Sequence, residues 1–401
     1  MGERRVKVIV AGGGPAGLTT AAALVAADRN LAEQVVVLEK ATYPREKYCA
    51  GAVGGRGDAI LAKLGLRPDV PGVPIDGMSL KGPSGEQTAR VGGIGRVVRR
   101  IEFDHALAEA ARRQGVEIVE GARVDDVRPQ KDGARVETSA GTFVGRVVIG
   151  ADGVGSVVRR AMGLGPGRLR AQVLELDTEP TDGDRDRGII HFDASDRGLP
   201  GYYWDFPTVV GGKELVCRGV YHLKVDAPGA DPKLDIQARL GARLEAMGLD
   251  IRAYKNKRFA ERGIDAADRL ALGSMLLVGE AAGIDPITGE GIAQAIEYGA
   301  LAGPFVAAVL RGERVMEDWT HHVYGSRLGR DLRIRSAFVG LFFGPRRPEV
   351  ERLLTTTNAP LRAGCRHFGA LPPEPLGLAS LGVRLGAFWL RGALGLGEEL
   401  R

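Results

Sequence analysis

Three glycines near the start of the chain, Gly12, Gly14 and Gly17, have the G-x-G-x-x-G spacing that binds the pyrophosphate of a dinucleotide. The first glycine permits a tight turn, the second lets the backbone approach the phosphates, and the third lets a helix pack closely on the preceding strand. An apolar run at residues 6–10 precedes this loop and an alanine-rich segment follows it, which predicts a strand, a turn and a helix. The helix N-terminus would present free N–H groups to the phosphates.

Glu39 ends a second apolar run, 22 residues after Gly17. An acid at about this distance accepts hydrogen bonds from a ribose hydroxyl. Because a carboxylate repels the 2′-phosphate of NADP, Glu39 favours FAD or NAD as the dinucleotide. This context disfavours a glycine turn that arose by chance.

Two further loops place an acid directly after an apolar run. Asp152 follows one such run and precedes a predicted helix, and Glu280 follows another. Gly289 and Gly291 would leave N–H groups free at the start of the next helix, which suits a phosphate or a flavin carbonyl. A simple NAD dehydrogenase does not need three such loops over about 280 residues. The pattern therefore predicts a larger dinucleotide, FAD, that lies across several strand ends.

The segment GLPGYYWDFP contains four aromatic residues in a chain that is only 5% aromatic. Side chains of a strand alternate between its two faces, so Tyr202, Trp204 and Phe206 would share one face, and Tyr203 and Asp205 the other. The first face is wholly aromatic. It suits either the core of a domain or the wall of a substrate cavity, and alternation alone favours the core.

Composition excludes several classes of function. The chain has 401 residues, enough for two or three domains, with 44% hydrophobic and 26% charged residues, as in globular proteins. Its net charge of +5 comes from scattered basic residues, so nucleic-acid binding is not expected. Three cysteines and six histidines show neither a disulfide framework nor the spacing of a metal site. The charged start and the lack of about 18 uninterrupted apolar residues predict neither a signal peptide nor a transmembrane helix, and so a cytoplasmic location.

The three loops, in this order, resemble the flavoprotein superfamily typified by p-hydroxybenzoate hydroxylase, over roughly residues 5–305. In that family the arginine at the head of an R-x-x-F-D stretch contacts FAD, and Arg100 matches it. The family's ADG motif is matched at Asp152 and its GD motif at Gly279, although Glu280 replaces the usual aspartate. The resemblance implies that FAD is bound by Gly12, Gly14, Pro15, Ala16, Gly17, Glu39, Lys40, Arg100, Val124, Asp152, Gly279, Glu280, Pro286, Gly289, Gly291 and Ile292.

The aromatic run is similar to the Y-x-W-x-F-P signature of the geranylgeranyl reductase family, and the segment GIDPITGEGI also looks like that group. This resemblance implies that the aromatic face lines a cavity opposite the flavin. Cys49 matches a cysteine that lies near the flavin in the family, although Ala-Gly follows it here instead of two glycines. The implied catalytic residues are Cys49 and Tyr202 as proton donors, with Trp204 and Phe206 as aromatic faces. The alternative for Cys49 is a small buried residue packed beside the flavin ring.

These elements predict an α/β fold with a Rossmann-type FAD-binding domain, an inserted and mostly antiparallel β-sheet substrate domain, and a helical C-terminal region. The predicted FAD-binding domain comprises residues 1–60, 96–168 and 268–330, the substrate domain residues 61–95 and 169–267, and the C-terminal helical cap residues 331–401. Arg384 and Arg391 interrupt the apolar end of the chain. That end suits either a packed cap, which its glycines favour, or an amphipathic segment resting on a membrane.

The resemblance implies an FAD-dependent oxidoreductase that reduces C=C bonds of a prenyl or similar hydrophobic substrate by hydride transfer from flavin N5. The main alternative is an FAD-dependent monooxygenase that acts through a C4a-hydroperoxide on an aromatic or polyketide-type metabolite, because one scaffold serves both chemistries. A halogenase, for which Lys81 is the available lysine, and a non-catalytic flavoprotein are further alternatives. The chain lacks a second complete dinucleotide fingerprint, so NAD(P)H or a ferredoxin-like or quinol donor would bind transiently. We expect a hydrophobic small-molecule substrate and peripheral membrane contact as an option, and the sequence specifies no oligomeric state.

Overall fold

The computed structural model describes residues 3–231 and 233–374. Its strands in chain order are β1 (Glu3–Ala11), β2 (Val35–Leu38), β3 (Ala52–Gly54), β4 (Gly72–Gly82), β5 (Gly85–Val98), β6 (Glu117–Val119), β7 (Val124–Gln130), β8 (Gly133–Thr138), β9 (Gly141–Gly150), β10 (Arg170–Thr178), β11 (Ile189–Asp193), β12 (Gly201–Val210), β13 (Lys213–Leu223), β14 (Lys257–Arg262), β15 (Ala271–Leu272) and β16 (Met275–Leu277). Its α-helices are α1 (Pro15–Ala27), α2 (Gly55–Lys63), α3 (Arg100–Arg113), α4 (Val157–Ala161), α5 (Ile236–Glu245), α6 (Ile292–Leu310), α7 (Asp318–Gly325), α8 (Arg327–Phe342), α9 (Arg347–Thr355) and α10 (Ala359–Phe368).

The first sheet has the strand order β15-β16-β9-β1-β2-β6, with β7 and β8 extending from β9. Strands β16, β9, β1 and β2 run parallel. Strands β2 and β16 are wholly buried apolar runs, as expected of parallel strands covered on both faces. Because the carboxyl ends of parallel strands meet at one edge, the loops that follow β1, β2, β9 and β16 lie together.

Helix α6 packs directly on α1 at two glycines. A Cβ on Gly303 would lie 2.5 Å from the backbone of Ala23, and one on Gly299 would lie 2.7 Å from the Thr19 side chain. By length and composition α6 could cross a membrane, but most of it is buried inside the protein, as in the core helix of a globular fold. We therefore assign it to the core beneath the first sheet.

The second sheet has the order β14-β10-β13-β12-β11-β4-β5-β3 and is antiparallel except where β11 runs beside β4. Helix α5 covers one face with Leu240 and Leu244, which join Leu174, Leu176 and Val220 in a small core. The other face lines a cavity beneath helices α8 to α10.

Two predicted domain boundaries differ from the strand pairing. The sequence places residues 1–60 in the FAD-binding domain, yet β3 pairs with β5 in the second sheet. Strand β5 also continues to Val98, past the predicted boundary at 95. The close pairing depends on Gly95, where a Cβ would lie 2.2 Å from the Val53 carbonyl oxygen. Strand β3 has only three residues and its pairing depends on a glycine about 40 residues away, so the sequence around β3 shows no strand pattern.

The helical C-terminal region is present in α8, α9 and α10. Helix α8 begins at Arg327, slightly before the predicted start of the cap at residue 331. Val339, Phe343, Cys365 and Phe368 pack into the core of the second sheet. Residues 375–401, which include Arg384 and Arg391, lie outside the described residues.

Candidate functional site

The predicted loops lie side by side at the carboxyl edge of the first sheet. The Ala151 N–H donates to the Ala11 carbonyl over 2.8 Å, which ties the ADG loop to the end of β1. The Val278 N–H donates to the Gly150 carbonyl over 2.9 Å, which ties the loop with Glu280 to the end of β9. The structure therefore brings together three motifs that are far apart in sequence.

Close contacts with neighbouring backbone require glycine at positions 12 and 17. Gly12 has a φ of +108°, and a Cβ there would lie 2.3 Å from the Ala151 carbonyl oxygen. A Cβ on Gly17 would lie 1.9 Å from the Gly12 carbonyl oxygen. Gly279 lies close to Ala16 of α1, since a Cβ on Gly279 would be 2.7 Å from the Ala16 methyl. These residues set how closely α1 approaches the loops.

Gly14 differs from the other two glycines. It caps the N-terminus of α1 ahead of Pro15, with an ordinary φ of −85°. In the described part of the chain, nothing lies within 4 Å of where its Cβ would be. The fold alone therefore does not require glycine at this position. The open space above the helix N-terminus fits the pyrophosphate that the motif predicts.

Glu39 is buried directly after β2. Its two carboxylate oxygens accept hydrogen bonds from the N–H groups of Gly13 and Ala41, each over 3.0 Å. Arg45 forms an ion pair with it over 3.3 Å. These contacts fix the carboxylate beside the glycine loop, where a ribose hydroxyl is expected.

Two other predicted cofactor residues lie near Glu39 along the chain. Lys40 follows it directly and is exposed. The Ala122 N–H donates to the Glu39 carbonyl over 2.8 Å, and half-buried Val124 begins β7 just beyond. The structure places both residues at this corner, and their contact with a cofactor stays a prediction.

Asp152 and Glu280 each have a buried carboxylate oxygen that lacks a hydrogen-bond partner among the described residues. The other Asp152 oxygen accepts from the N–H groups of Val157 and Val158 at the start of α4. Burial raises the pKa of both carboxyls. Two unpartnered acceptors at the same loop edge suit a cofactor with several hydroxyl groups. This arrangement, together with the space at Gly14, fits FAD.

Arg100 begins α3 and forms a two-pronged ion pair with Asp104, at 2.7 and 2.9 Å. Asp104 is fully buried and also pairs with Arg45 over 3.0 Å. These contacts keep the Arg100 guanidinium fixed. Burial lowers its pKa, but the Asp104 carboxylate outweighs burial and raises the pKa overall. Arg100 lies near the Cys49 thiol and lowers the pKa of that thiol in part, but burial dominates and raises it.

The loop before α6 joins the first sheet to the cavity. Buried Pro286 accepts a hydrogen bond from the Tyr221 hydroxyl over 2.9 Å. Gly289 has a φ of +65°, and Gly291 caps α6 ahead of buried Ile292. Gly289 and Gly291 line the cavity. This loop therefore lies between the predicted cofactor site and the second sheet.

The cavity has a volume of about 450 Å³ and an aromatic wall. Tyr202, Trp204 and Phe206 line it, as strand alternation predicts. Tyr203 lies on the opposite face in the core beneath α5, and Asp205 is buried there against Arg243. The wall also includes residues that the sequence analysis missed, namely Phe192, Tyr221, Phe259, Glu261, Phe338, Phe342, Phe343, His367 and Phe368.

The aromatic rings of the wall form a connected set. Tyr202 stacks on Tyr221 with the ring centres 5.2 Å apart and the planes 15° apart. Phe192 contacts Tyr202 and Phe206 edge-on, at 5.4 and 5.3 Å. The Tyr202 hydroxyl donates to the Thr288 carbonyl, and burial raises its pKa well above the usual value. The wall is thereby attached to the loop that precedes α6.

Some of the missed residues left a signal in the sequence. Phe338 and Phe342 are spaced i, i+4 in an apolar segment, which places both on one helix face. Alternation along KRFAER likewise places Phe259 and Glu261 together. His367 leaves no comparable local pattern. Among the described residues, no group of three metal-type side chains lies close enough to hold a metal ion.

Cys49 lines the cavity and is half-buried. Its N–H donates to the Glu175 carboxylate over 3.0 Å, and its sulfur accepts from the Gly51 N–H over 3.4 Å. Burial raises the pKa of the thiol. Cys49 is therefore a neutral thiol at neutral pH, which suits packing or proton donation better than nucleophilic attack.

Glu175 gives a test of this buried region. Burial raises its pKa to about 7, although Lys257 opposes the shift. Below about pH 4.5 both the folded and the unfolded chain hold the proton, and between 4.5 and 7 only the folded chain does, so stability falls as pH rises. In wild type the free energy of unfolding should fall by about 3 kcal/mol across this window, and we expect Glu175→Gln to remove that fall. Urea unfolding at pH 4.5 and 8 measures it.

Glutamine keeps an acceptor for the Cys49 N–H, and Lys257 keeps its ion pair with Asp177 at 2.6 Å. The matched control is Glu214→Gln, since that side chain is 68% exposed. It should leave the pH dependence of wild type unchanged. If the stability of wild type and of Glu175→Gln depended equally on pH, the raised pKa of Glu175 would be contradicted.

Comparison with known proteins identifies the family of this chain. The family model for FAD-dependent oxidoreductases matches residues 94–253. A digeranylgeranylglycerophospholipid reductase from Methanothrix thermoacetophila is 30% identical over 84% of this chain and 88% of its own length. A menaquinone reductase from Mycobacterium tuberculosis is 29% identical over 84% of each chain.

Two solved structures show the same fold. A geranylgeranyl bacteriochlorophyll reductase-like protein from Thermoplasma acidophilum has a TM-score of 0.64 at 19% identity, over 92% of each chain. The p-nitrophenol 4-monooxygenase from Pseudomonas putida has a TM-score of 0.62 at 18% identity, over 91% of this chain and 93% of its own. The fold is therefore common to reductases and monooxygenases, whereas the 30% identical relative shows the family. This protein is an FAD-dependent oxidoreductase that belongs to the geranylgeranyl reductase family.

Proposed function

We propose that this protein reduces carbon–carbon double bonds of a prenyl chain or a similar hydrophobic substrate. The observation that most supports the proposal is the aromatic cavity beside the loop that precedes α6. A largely apolar lining suits a hydrocarbon chain, and the few polar groups there can orient it. The relative named digeranylgeranylglycerophospholipid reductase supports the same class of substrate.

The aromatic wall has a direct role in this chemistry. Reduced FAD supplies a hydride when it is bound. An isolated double bond accepts hydride poorly, so one carbon must gain a proton while positive charge develops on the other. The faces of Tyr202, Trp204 and Phe206 stabilise that charge, by about 0.5–2 kcal/mol each. The same rings exclude water from the reacting bond.

Cys49 and Tyr202 are the candidate proton donors that the sequence offers, because a thiol or a phenol can pass a proton to a double bond. Burial raises the pKa of both groups, so each holds its proton at neutral pH. The Tyr202 proton is already engaged with the Thr288 carbonyl. In this arrangement Tyr202 positions the wall against the loop before α6, and Cys49 packs at the cavity edge.

A pair of variants on β12 tests the role of the wall. We expect Trp204→Leu to slow alkene reduction by roughly 2- to 30-fold, because it removes one aromatic face while keeping an apolar side chain. Tyr203→Phe, on the opposite face of the strand, should leave the rate unchanged. The measurement is the rate of product formation from a polyprenyl lipid, with FAD content checked for each variant. Equal rates in wild type, Trp204→Leu and Tyr203→Phe would contradict the role given to the aromatic wall, and no reduced product from wild type would contradict the proposed function.

The monooxygenase alternative uses the same cavity and is distinguished by its product. A halogenase would need a lysine at the cavity. Lys81 does line it, at the end of β4, and lies 3.8 Å from the Asp193 carboxylate. Alkene reduction adds two hydrogens to the product. A product that instead contains a new oxygen atom would show a monooxygenase, and one with a new halogen atom would show a halogenase.

We also propose the remaining partners on chemical grounds. The reductant is NAD(P)H or a ferredoxin-like or quinol donor, which binds transiently. A cytoplasmic protein with a prenyl-lipid substrate would meet it at a membrane surface, so we propose peripheral membrane contact. Sedimentation with vesicles of defined phospholipids measures that contact.

A further inference from the structure

Glu261 is an acid within the aromatic cavity. It lies on the edge strand β14, opposite Ala171 of β10, and it lines the cavity together with Phe259. Its Oε2 is buried and has no hydrogen-bond partner among the described residues. A carboxyl oxygen in this situation is costly unless a ligand or a proton satisfies it.

The Glu261 carboxyl lies between the aromatic wall and the loop that precedes α6. A Cβ on Gly289 would lie 2.6 Å from the Glu261 Oε2 and 3.2 Å from the Tyr221 ring. Glycine at position 289 therefore leaves room for the carboxyl group. The acid is thereby placed beside two rings of the wall, because Tyr221 stacks on Tyr202.

The surroundings of Glu261 favour its neutral form. Burial is the largest cause and raises its pKa well above the usual value. The nearby carboxylates Glu280, Glu175 and Asp285 act in the same direction, and Lys47 opposes them. Cys49, Tyr202 and Tyr221 line the cavity on the side of Glu261, and the lining also includes the charged or titratable side chains of Lys81, Glu290, Arg335, Arg347, Glu351 and His367.

We propose that Glu261, as a carboxylic acid, is the residue that protonates the substrate double bond. This rests on the proposed alkene reduction. The π electrons of the double bond would take the Glu261 proton to form one new C–H bond, and a hydride that reduced flavin would supply when bound would form the other. The substrate would thereby gain two electrons, the reduced flavin would return to FAD, and the Glu261 carboxylate would regain a proton from solvent.

Glu261 is better suited to this step than the other donors. A carboxylic acid starts from an ordinary pKa near 4.3, whereas a phenol starts near 10 and a thiol near 8.5. Burial raises the pKa of all three groups, so each holds a proton. The Glu261 Oε2 is buried and has no hydrogen-bond partner among the described residues, so this carboxyl is free to engage the substrate. The Tyr202 and Tyr221 hydroxyls are instead engaged with the Thr288 and Pro286 carbonyls.

The test compares Glu261→Gln with Glu261→Asp and with Tyr202→Phe in FAD-loaded protein. General acid catalysis contributes about 10²- to 10⁴-fold, so Glu261→Gln should slow reduction of a polyprenyl lipid at least 100-fold. FAD affinity should stay at the wild-type value. Glu261→Asp should recover part of the rate, and Tyr202→Phe should lose far less than Glu261→Gln. A wild-type rate in Glu261→Gln would overturn the proposal.

Infrared difference spectroscopy gives a readout that does not depend on turnover. At neutral pH the wild type should show the carbonyl band of a protonated carboxyl that is missing in Glu261→Gln. If that band shows Glu261 to be ionised, the proton-donor role is wrong while alkene reduction still stands. Failure of the wild type to reduce any prenyl substrate would instead overturn both proposals.

Discussion

Gly17→Ala is expected to destabilise the FAD-binding region and to weaken FAD binding. The new methyl would lie 1.9 Å from the Gly12 carbonyl oxygen, which is backbone and cannot rotate away. Helix α1 must therefore move off the loop, at a cost of about 1–3 kcal/mol in the free energy of unfolding. Since α1 directs its N–H groups toward the phosphates, FAD affinity should fall at least about tenfold, or roughly 1.4 kcal/mol.

Gly14→Ala is the matched variant, since it should separate FAD binding from folding. The Gly14 φ of −85° suits alanine, and no described atom lies within 4 Å of the new methyl. Urea unfolding of the apoprotein should therefore stay within about 1 kcal/mol of wild type, the cost of alanine in place of glycine at an N-cap. The methyl would occupy the space expected for the pyrophosphate, so a fluorescence titration should show weaker FAD binding. Unchanged FAD affinity in Gly14→Ala would mean that the phosphates lie elsewhere.

Asp205→Asn is expected to cost about 3–5 kcal/mol in the free energy of unfolding. Asp205 is buried behind the aromatic wall and accepts from Arg218 over 2.8 Å. It also accepts from Arg243 of α5 over 2.6 Å. Arg218 is 1% exposed, so removing the negative charge leaves two closely spaced guanidinium groups with less compensation. Asp184 still pairs with Arg218, which places the effect at the lower end of the range.

Urea unfolding of Asp205→Asn measures this cost. The control is Glu313→Gln, because the Glu313–Arg311 pair is exposed and such pairs contribute little. We expect no measurable change in the control. A change of less than about 1 kcal/mol in Asp205→Asn would mean that α5 is not held to the sheet by these charges.

The FAD loops could be predicted because their signals are local. The glycine spacing, the acid after each apolar run and the helix that follows lie within a few residues of each other, and parallel strands bring such loops to one edge. The orientation of Tyr202, Trp204 and Phe206 could be predicted for the same reason, since alternation is a property of the strand itself.

Features that depend on distant contacts could not be predicted. Trp204 lies over Gly219 of the neighbouring strand, where a Cβ would come within 2.1 Å of the indole ring. Glu261 depends in the same way on Gly289 for its space. Each contact joins two residues on different segments, and the alternation pattern within one strand carries no information about the other segment. The sequence therefore predicts only part of the cavity wall. The pairing of β3 with β5 was missed for the same reason.

The most direct test of the central claim is an anaerobic single turnover. Protein loaded with FAD is reduced chemically under argon and mixed with a polyprenyl lipid, while the flavin absorbance and the product mass are followed. The account predicts that the flavin is reoxidised at a rate that depends on the lipid concentration, and that the product gains two hydrogens for each double bond reduced. A flavin that stays reduced until oxygen is admitted, with an oxygen atom then found in the product, would contradict it.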